Sequence, residues 1–249
     1  MIARFFVNKS NIIRFIWPCW VASCPCKAKD QSNLLMKKYL KGGSFALALV
    51  FANIVQAQDI VVGITSTMPT IDINHQGTIV QVKRVQDPNN KLVDDFAKTS
   101  RPCPPFCVHP MSAGQGVATV GELELLEFVQ KEVALGKGLL IDARMPSFYN
   151  SETIPGSVNI PFILLTTVSD SILPLLGARK KEQNWDFSNA LDLLLYCNGP
   201  WCDQSPRAIQ GLLKAGYPAH KLRYYRGGMQ MWKMFSLTTV LPVSSEVGN

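Results

Sequence analysis

The sequence predicts an α/β domain with a mainly parallel sheet over its C-terminal half. Three observations carry this expectation. Residues 139–141 are a short, continuous apolar run, as in a strand buried on both faces, residues 191–196 are a further apolar run, and residues 222–225 read as a last short strand. Stretches with helical apolar spacing alternate with these runs. Gly, Pro and Asn clusters punctuate the joints between them.

Taken in order, residues 59–65 and 78–85 are rich in Val and Ile and bounded by turn residues, so both read as strands. Asp87-Pro88-Asn89-Asn90 is a turn signal, and residues 100–110, rich in Pro and Cys, read as irregular. Residues 58–115 are thus expected to form a small β-containing N-terminal extension with a Cys-rich loop, ahead of a domain at 116–249. Leu123, Leu126, Val129 and Val133, with Leu125 and Phe128 beside them, predict a helix over 121–135 that Gly136-Lys137-Gly138 ends. The strand at Leu139-Leu140-Ile141 stops at Asp142-Ala143-Arg144. A loop then reaches Ile154-Pro155-Gly156-Ser157-Val158-Asn159-Ile160-Pro161, with a short strand around Val158. The run at 191–196 ends at Cys197, and residues 205–215 read as a helix with Ile209, Leu212 and Leu213 on one face. A last strand at 222–225 leads to Gly227-Gly228, a tight turn needing permissive backbone angles, and to a short helix through Trp232.

The chain has 249 residues, 47% hydrophobic and 17% charged, enough apolar material for a core and unlike a disordered chain. Its formal net charge of +7 would suit nucleic acid if it were spread over one face. Residues 1–57, however, hold eight Lys/Arg and one acid, so they account for the whole excess and the remainder is balanced. A nucleic-acid partner is therefore not expected. Within residues 36–57, Met36-Lys37-Lys38-Tyr39-Leu40-Lys41 is a short basic segment, residues 45–55 are an apolar run interrupted by Asn53, and Val55-Gln56-Ala57 is a small-residue site. This is the three-part pattern of a signal peptide ending near Ala57, and it predicts a periplasmic or secreted protein with no stable membrane span after cleavage. The run is shorter than the ~20 residues a membrane-spanning helix needs. Residues 1–35, which precede this pattern, read as a spurious or unstructured N-terminal extension, and Cys19, Cys24 and Cys26 within it have no zinc-site spacing.

Four cysteines follow Ala57: Cys103, Cys107, Cys197 and Cys202. An even number in an exported protein permits disulfides, and Cys103-Pro104-Pro105-Phe106-Cys107 reads as a short disulfide loop. No paired Cys/His set suggests a metal, and no motif suggests a cofactor. His75, His109 and His220 have no evident Cys partner in the sequence. Cys197 stands at the end of a buried strand and just before a helix. Ligands of open α/β sheets bind at the carboxyl ends of strands. The loop amides and the positive helix end there favour a thiolate, which is a nucleophile near neutral pH. Packing as a small hydrophobe is the competing reading of the position alone.

Asp142-Ala143-Arg144, then Ile154-Pro155-Gly156-Ser157-Val158-Asn159-Ile160-Pro161, then Leu195-Tyr196-Cys197, then Arg226-Gly227-Gly228 with Trp232, resemble a rhodanese domain in order and spacing. The resemblance implies a five-stranded parallel sheet flanked by helices, and a sulfurtransferase without a cofactor. Cys197 would be the catalytic cysteine that holds sulfane sulfur as a persulfide. Asn198, Gly199, Trp201, Gln204, Ser205 and Arg207 would form the substrate loop. Asp142 and Arg144 read first as residues that fix loops at the sheet edge, with Arg144 also a candidate for assisting anion binding. The partners implied are a small thiosulfate-like sulfur donor and a thiol or cyanide-like acceptor, with a protein thiol as a further option. The loop departs from the family. Cys202 and Asp203 stand where a Ser/Thr or Arg is common, and Ser205 and Arg207 come later. Cys202 is thus a candidate resolving or redox partner. Trp201-Cys202 is similar to the tryptophan–cysteine pair of thioredoxin-like sites, without their CxxC spacing. Two alternatives stay open: a periplasmic thiol–disulfide protein using Cys197 and Cys202, and a non-catalytic binding module on the same fold.

Overall fold

A computed structural model describes residues 61–242. The stretch 1–35, the targeting pattern at 36–57 and its cleavage site lie outside the described residues, as do Asp59 and Ile60 of the first expected strand. In chain order the elements are β1 (Thr70–His75), β2 (Thr78–Lys83), α1 (Asp94–Ala97), β3 (Ala118–Val120), α2 (Glu122–Phe128), β4 (Gly138–Asp142), α3 (Pro146–Ser151) and β5 (Ser157–Asn159). They continue with α4 (Phe162–Thr166), α5 (Ile172–Leu175), β6 (Arg179–Lys181), β7 (Asn184–Asp186), β8 (Asp192–Tyr196), α6 (Gln204–Lys214), β9 (Leu222–Tyr225) and α7 (Gly228–Met234).

Five strands make the central sheet in the order β3-β9-β8-β4-β5, and every neighbouring pair is parallel. Its middle strand, β8, reads Asp-Leu-Leu-Leu-Tyr because both its faces are covered. Successive side chains alternate between faces. Leu193 and Leu195 join the layer of α4 and α6, with Leu165, Ile209 and Leu212. Leu194 and Tyr196 join the layer of α2 and α7, with Leu125, Leu126 and Trp232. The fold is α/β, a five-stranded parallel sheet flanked by helices, as the resemblance implied.

The N-terminal strands are placed differently from the sequence expectation. Residues 61–65 form no strand, because Thr65 and Met68 close a turn ahead of Pro69. The first strand is β1 instead, and it pairs antiparallel with β2 across Gln76-Gly77. The alternation of Ile71, Ile73 and His75, all buried, is the period-2 signal that the sequence reading passed over. This hairpin is not a separate appendage: Ile71, Ile73 and Val82 share the core layer of Leu125 and Trp232. A bridge from Arg84 to Leu237 ties it to the C-terminal residues.

The expected helix at 121–135 is α2 followed by a π-helical turn over Val129–Val133. Leu123 is half exposed rather than on its buried face, because it lies across the helix from Leu125. The edge strand β3 and the hairpin β6–β7 were also unanticipated, the former for its brevity and the latter because Arg179-Lys180-Lys181 has no apolar pattern. Trp232 is fully buried.

Candidate functional site

Cys197 directly follows β8, the central strand, at the carboxyl end of the sheet. Residues 198–203 loop from it to the start of α6 at Gln204. The loop is held against α7 through the backbone. Met229 N–H donates to the Cys197 carbonyl at 3.0 Å, and Gln230 N–H donates to the Asn198 carbonyl at 2.9 Å. Such close approach requires Gly228. Its φ is +56°, and a Cβ there would stand 2.4 Å from the Cys197 carbonyl oxygen and 2.7 Å from Gly199 N. Gly227, by contrast, has φ −58° and is excluded from larger residues by the Tyr225 ring.

The Cys197 sulfur is buried. Ser205 donates its hydroxyl to Sγ at 3.1 Å, and the protonated thiol faces the Cys202 carbonyl at 3.3 Å. Burial raises the Cys197 pKa, but hydrogen bonds from the Cys202 thiol, the Ser205 hydroxyl and the amides of Ser205 and Gly199 outweigh it and bring it to about 7. Cys202 moves the other way. Its thiol proton is engaged by the Cys197 sulfur, so its own ionisation is pushed up. The pair therefore holds one negative charge, localised on Cys197. Cys202 N–H donates to the Gly199 carbonyl at 2.9 Å, and this turn brings the Cys202 carbonyl to the Cys197 sulfur.

A cavity of about 610 Å³ opens beside this loop, and Cys202, Asn198 and Gln204 line it. Its far wall comes from the segment before β3. Phe106 meets the Trp201 ring at 5.0 Å between centroids, and the Arg101 guanidinium lies 4.3 Å from the Phe106 centroid. Trp201 Nε1 donates to Gln230 Oε1 at 2.7 Å, and Gln230 Nε2 donates to the Phe96 carbonyl at 3.2 Å. His109 N–H donates to the Pro200 carbonyl at 3.2 Å, and Arg226 holds the His109 carbonyl at 2.9 Å. Cys103 and Cys107 stand within this wall, their sulfurs in contact and their Cα atoms 4.7 Å apart.

A strand-end cysteine, a cradling loop and a helix behind it thus stand on a sheet ordered first-fifth-fourth-second-third. The sequence model of the rhodanese-like domain family matches residues 124–235. These residues are a rhodanese-like domain. Among curated proteins, an HTH-type transcriptional regulator of Mycobacterium tuberculosis is 28% identical over 102 residues, which are 41% of this chain and 37% of the regulator. The match thus spans well under half of that relative. The human single-domain sulfurtransferase is 24% identical over 47% of this chain and 96% of its own, with a TM-score of 0.34. A rhodanese from E. coli solved with anions is 24% identical over 41% of this chain and 96% of its own, with a TM-score of 0.28.

Within the rhodanese-like domain the remaining expected site residues divide. Asn198, Gly199, Trp201, Gln204 and Ser205 all surround the loop or its sulfur. Arg144 lies at the cavity but is engaged. Its guanidinium grips the Asp142 carboxylate at 2.7–3.1 Å and also donates to the Glu152 carbonyl at 2.5 Å. Asp142 in turn accepts from Thr153 and Tyr196 at the sheet edge, so this buried set fixes loops. Arg207 stays away from the sulfur: it approaches Asp203 at 3.8 Å and lies over the Phe162 ring. Sequence reasoning missed Phe96, Arg101 and Phe106 in the wall. The one available signal was two aromatics and a cation flanking the Cys103–Cys107 pair. Among the described residues no group of three or more His, Cys, Asp or Glu could hold a metal ion.

Proposed function

We propose that the rhodanese-like domain moves sulfane sulfur through a persulfide on Cys197. The supporting observation is the Cys197 thiol itself: at the carboxyl end of the central strand, with Ser205 and two loop amides on its sulfur, it ionises near pH 7. In this reading the thiolate attacks the outer sulfur of a donor. A Cys197 S–S bond forms, the donor's bond to that sulfur breaks, and the donor remnant leaves with the electron pair. A nucleophilic acceptor, a thiol or cyanide-like species, then takes the outer sulfur and restores the thiolate. The substrate loop is Asn198, Gly199, Trp201, Gln204 and Ser205, with Arg207 behind it. No cofactor takes part in this scheme. The basic, apolar and small-residue pattern at 36–57 supports export to the periplasm or outside the cell, where a protein thiol is a further candidate partner.

A second reading has its own observation. The Cys202 carbonyl lies 3.3 Å from the Cys197 sulfur, so the two thiols share one loop turn and form a candidate pair for disulfide exchange with a dithiol or disulfide partner. Mass spectrometry of the mature protein after treatment with a sulfane donor separates the readings. A gain of about 32 Da on Cys197 supports transfer. A loss of about 2 Da across the Cys197–Cys202 pair supports redox exchange. Cys197→Ser must abolish loading, because a hydroxyl forms no persulfide. Loading that survives in this variant, and vanishes in Cys202→Ser, would make Cys202 the nucleophile.

A further inference from the structure

Tyr224 carries a hydroxyl that the transfer scheme does not use. The residue is fully buried, and among the described residues its hydroxyl has no hydrogen-bond partner. Leaving a buried hydroxyl unpaired is costly, so in a native fold it calls for an explanation. The neighbouring buried tyrosines are satisfied. Tyr196 donates to the Asp142 carboxylate at 3.1 Å, and Tyr225 donates to the Glu122 carboxylate at 2.8 Å.

The sheet brings this hydroxyl toward the reacting sulfur. Tyr224 lies on β9 opposite Leu195 of β8, and both belong to the layer of α4 and α6. Strand alternation puts Cys197, two residues past Leu195, on that face too. Ser205, on α6, reaches the Cys197 sulfur from the same layer. Two residues of parallel strand rise about 6–7 Å, a distance that a tyrosine side chain leaning along its strand spans. Burial first, and then the charge on Cys197, push the Tyr224 ionisation up, against the pull of Arg226. At neutral pH the hydroxyl is therefore a proton donor within the field of the Cys197 sulfur. It makes no hydrogen bond to that sulfur.

We propose that Tyr224 binds the persulfide, its hydroxyl donating to the outer sulfur once Cys197 is loaded. The inference rests on the persulfide reading of Cys197. A sulfur bonded to Sγ extends ~2.05 Å beyond it and offers a new acceptor to a donor that has none. In the loading step the Cys197 thiolate attacks the outer sulfur of a donor persulfide. The Cys197 S–S bond forms and the donor S–S bond breaks. The donor thiolate leaves with the electron pair and takes up the proton of the transferred sulfur. No oxidant is needed. The anionic outer sulfur then meets the Tyr224 hydroxyl, and this hydrogen bond favours both its retention and its ionised form. Ser205 and the loop amides serve the inner sulfur, so the two sulfurs of the persulfide have separate donors.

Tyr224→Phe keeps the ring and removes only the hydroxyl. Full-length mature protein, wild type and variant, is equilibrated with buffers of N-acetylcysteine and its persulfide, and the loaded fraction of Cys197 is read by peptide mass spectrometry. The loading constant should fall about tenfold or more in the variant, the worth of a hydrogen bond to a charged group. Alkylation of the loaded form against pH should show the persulfide midpoint moved upward, because its anion has lost a donor. The unloaded variant separates this from a structural role. Its Cys197 alkylation midpoint should stay in place, and its chemical denaturation midpoint should be unchanged or higher, since the lost hydroxyl had no partner. A loading constant and a persulfide midpoint equal to wild type overturn the assignment and leave the persulfide reading intact. Unloaded protein that is destabilised, with loading unchanged, overturns it too and makes the hydroxyl structural. Wild-type protein that never loads removes the persulfide reading, and the role of Tyr224 falls with it.

Discussion

At Cys197 burial and hydrogen bonding pull the thiol in opposite directions, and the hydrogen bonds win. The consequence is measurable. Alkylation by iodoacetamide should rise with pH around a midpoint of about 7, because only the thiolate reacts. Ser205→Ala removes the 3.1 Å donor, and Cys202→Ala removes the thiol donor, so each should move the midpoint upward. An unmoved midpoint in both would mean that the amides alone hold the charge. The candidacy of Cys197 was legible in the sequence because a buried strand followed by a helix is a positional signal. The partnership of Cys202 was not. It depends on the turn closed by Cys202 N–H on the Gly199 carbonyl, which linear spacing does not show. Arg144 illustrates the converse. The sequence reads it as fixing loops beside Asp142, with an anion as the further option, and the Asp142 carboxylate two positions earlier is its partner.

Elements were legible where apolar periodicity was long or continuous. β4, β8, β9 and α6 fall within a residue or two of the expected bounds, since both sheet faces and one helix face are packed. Where an element is short or exposed, as in α1 or β6, the pattern carries too few apolar positions to read. The seating of α6 on α4 has a sharp requirement at Gly211. A Cβ there would lie 1.9 Å from the Leu165 carbonyl oxygen. Gly211→Ala should therefore destabilise the protein by at least about 1–3 kcal/mol in chemical denaturation, the usual cost of overpacking, despite alanine's better helix propensity. The wall segment makes a separate prediction. With their Cα atoms 4.7 Å apart, Cys103 and Cys107 should be bonded in oxidised protein, and alkylation without reductant should label neither. Labelling of both would show the pair to be reduced.

Across the whole molecule, the residues read from sequence as an N-terminal extension supply two things the domain lacks without them. The hairpin β1–β2 completes the layer over α2 and α7, and residues 94–110 wall the cavity. If the hairpin is integral, Ile73→Ala should cost about 2–4 kcal/mol, in the range of other buried large-to-small changes. The loss should appear in one cooperative transition for the entire unit, not in a separate early melting of the hairpin. A distinct first transition would make the hairpin an independent appendage. The bridge from Arg84 to Leu237, and the grip of Arg226 and Gln230 on the wall, also bear on how the chain is made. A ribosome delivers the hairpin and the wall first, but their partners lie in the last stretch of the described chain. Until that stretch emerges, β8 and its two thiols can already be out while nothing shields them. The interval between synthesis of Cys202 and arrival of Gln230 is therefore a window of chemical exposure, when a stray oxidant reaches sulfurs that the finished protein keeps covered.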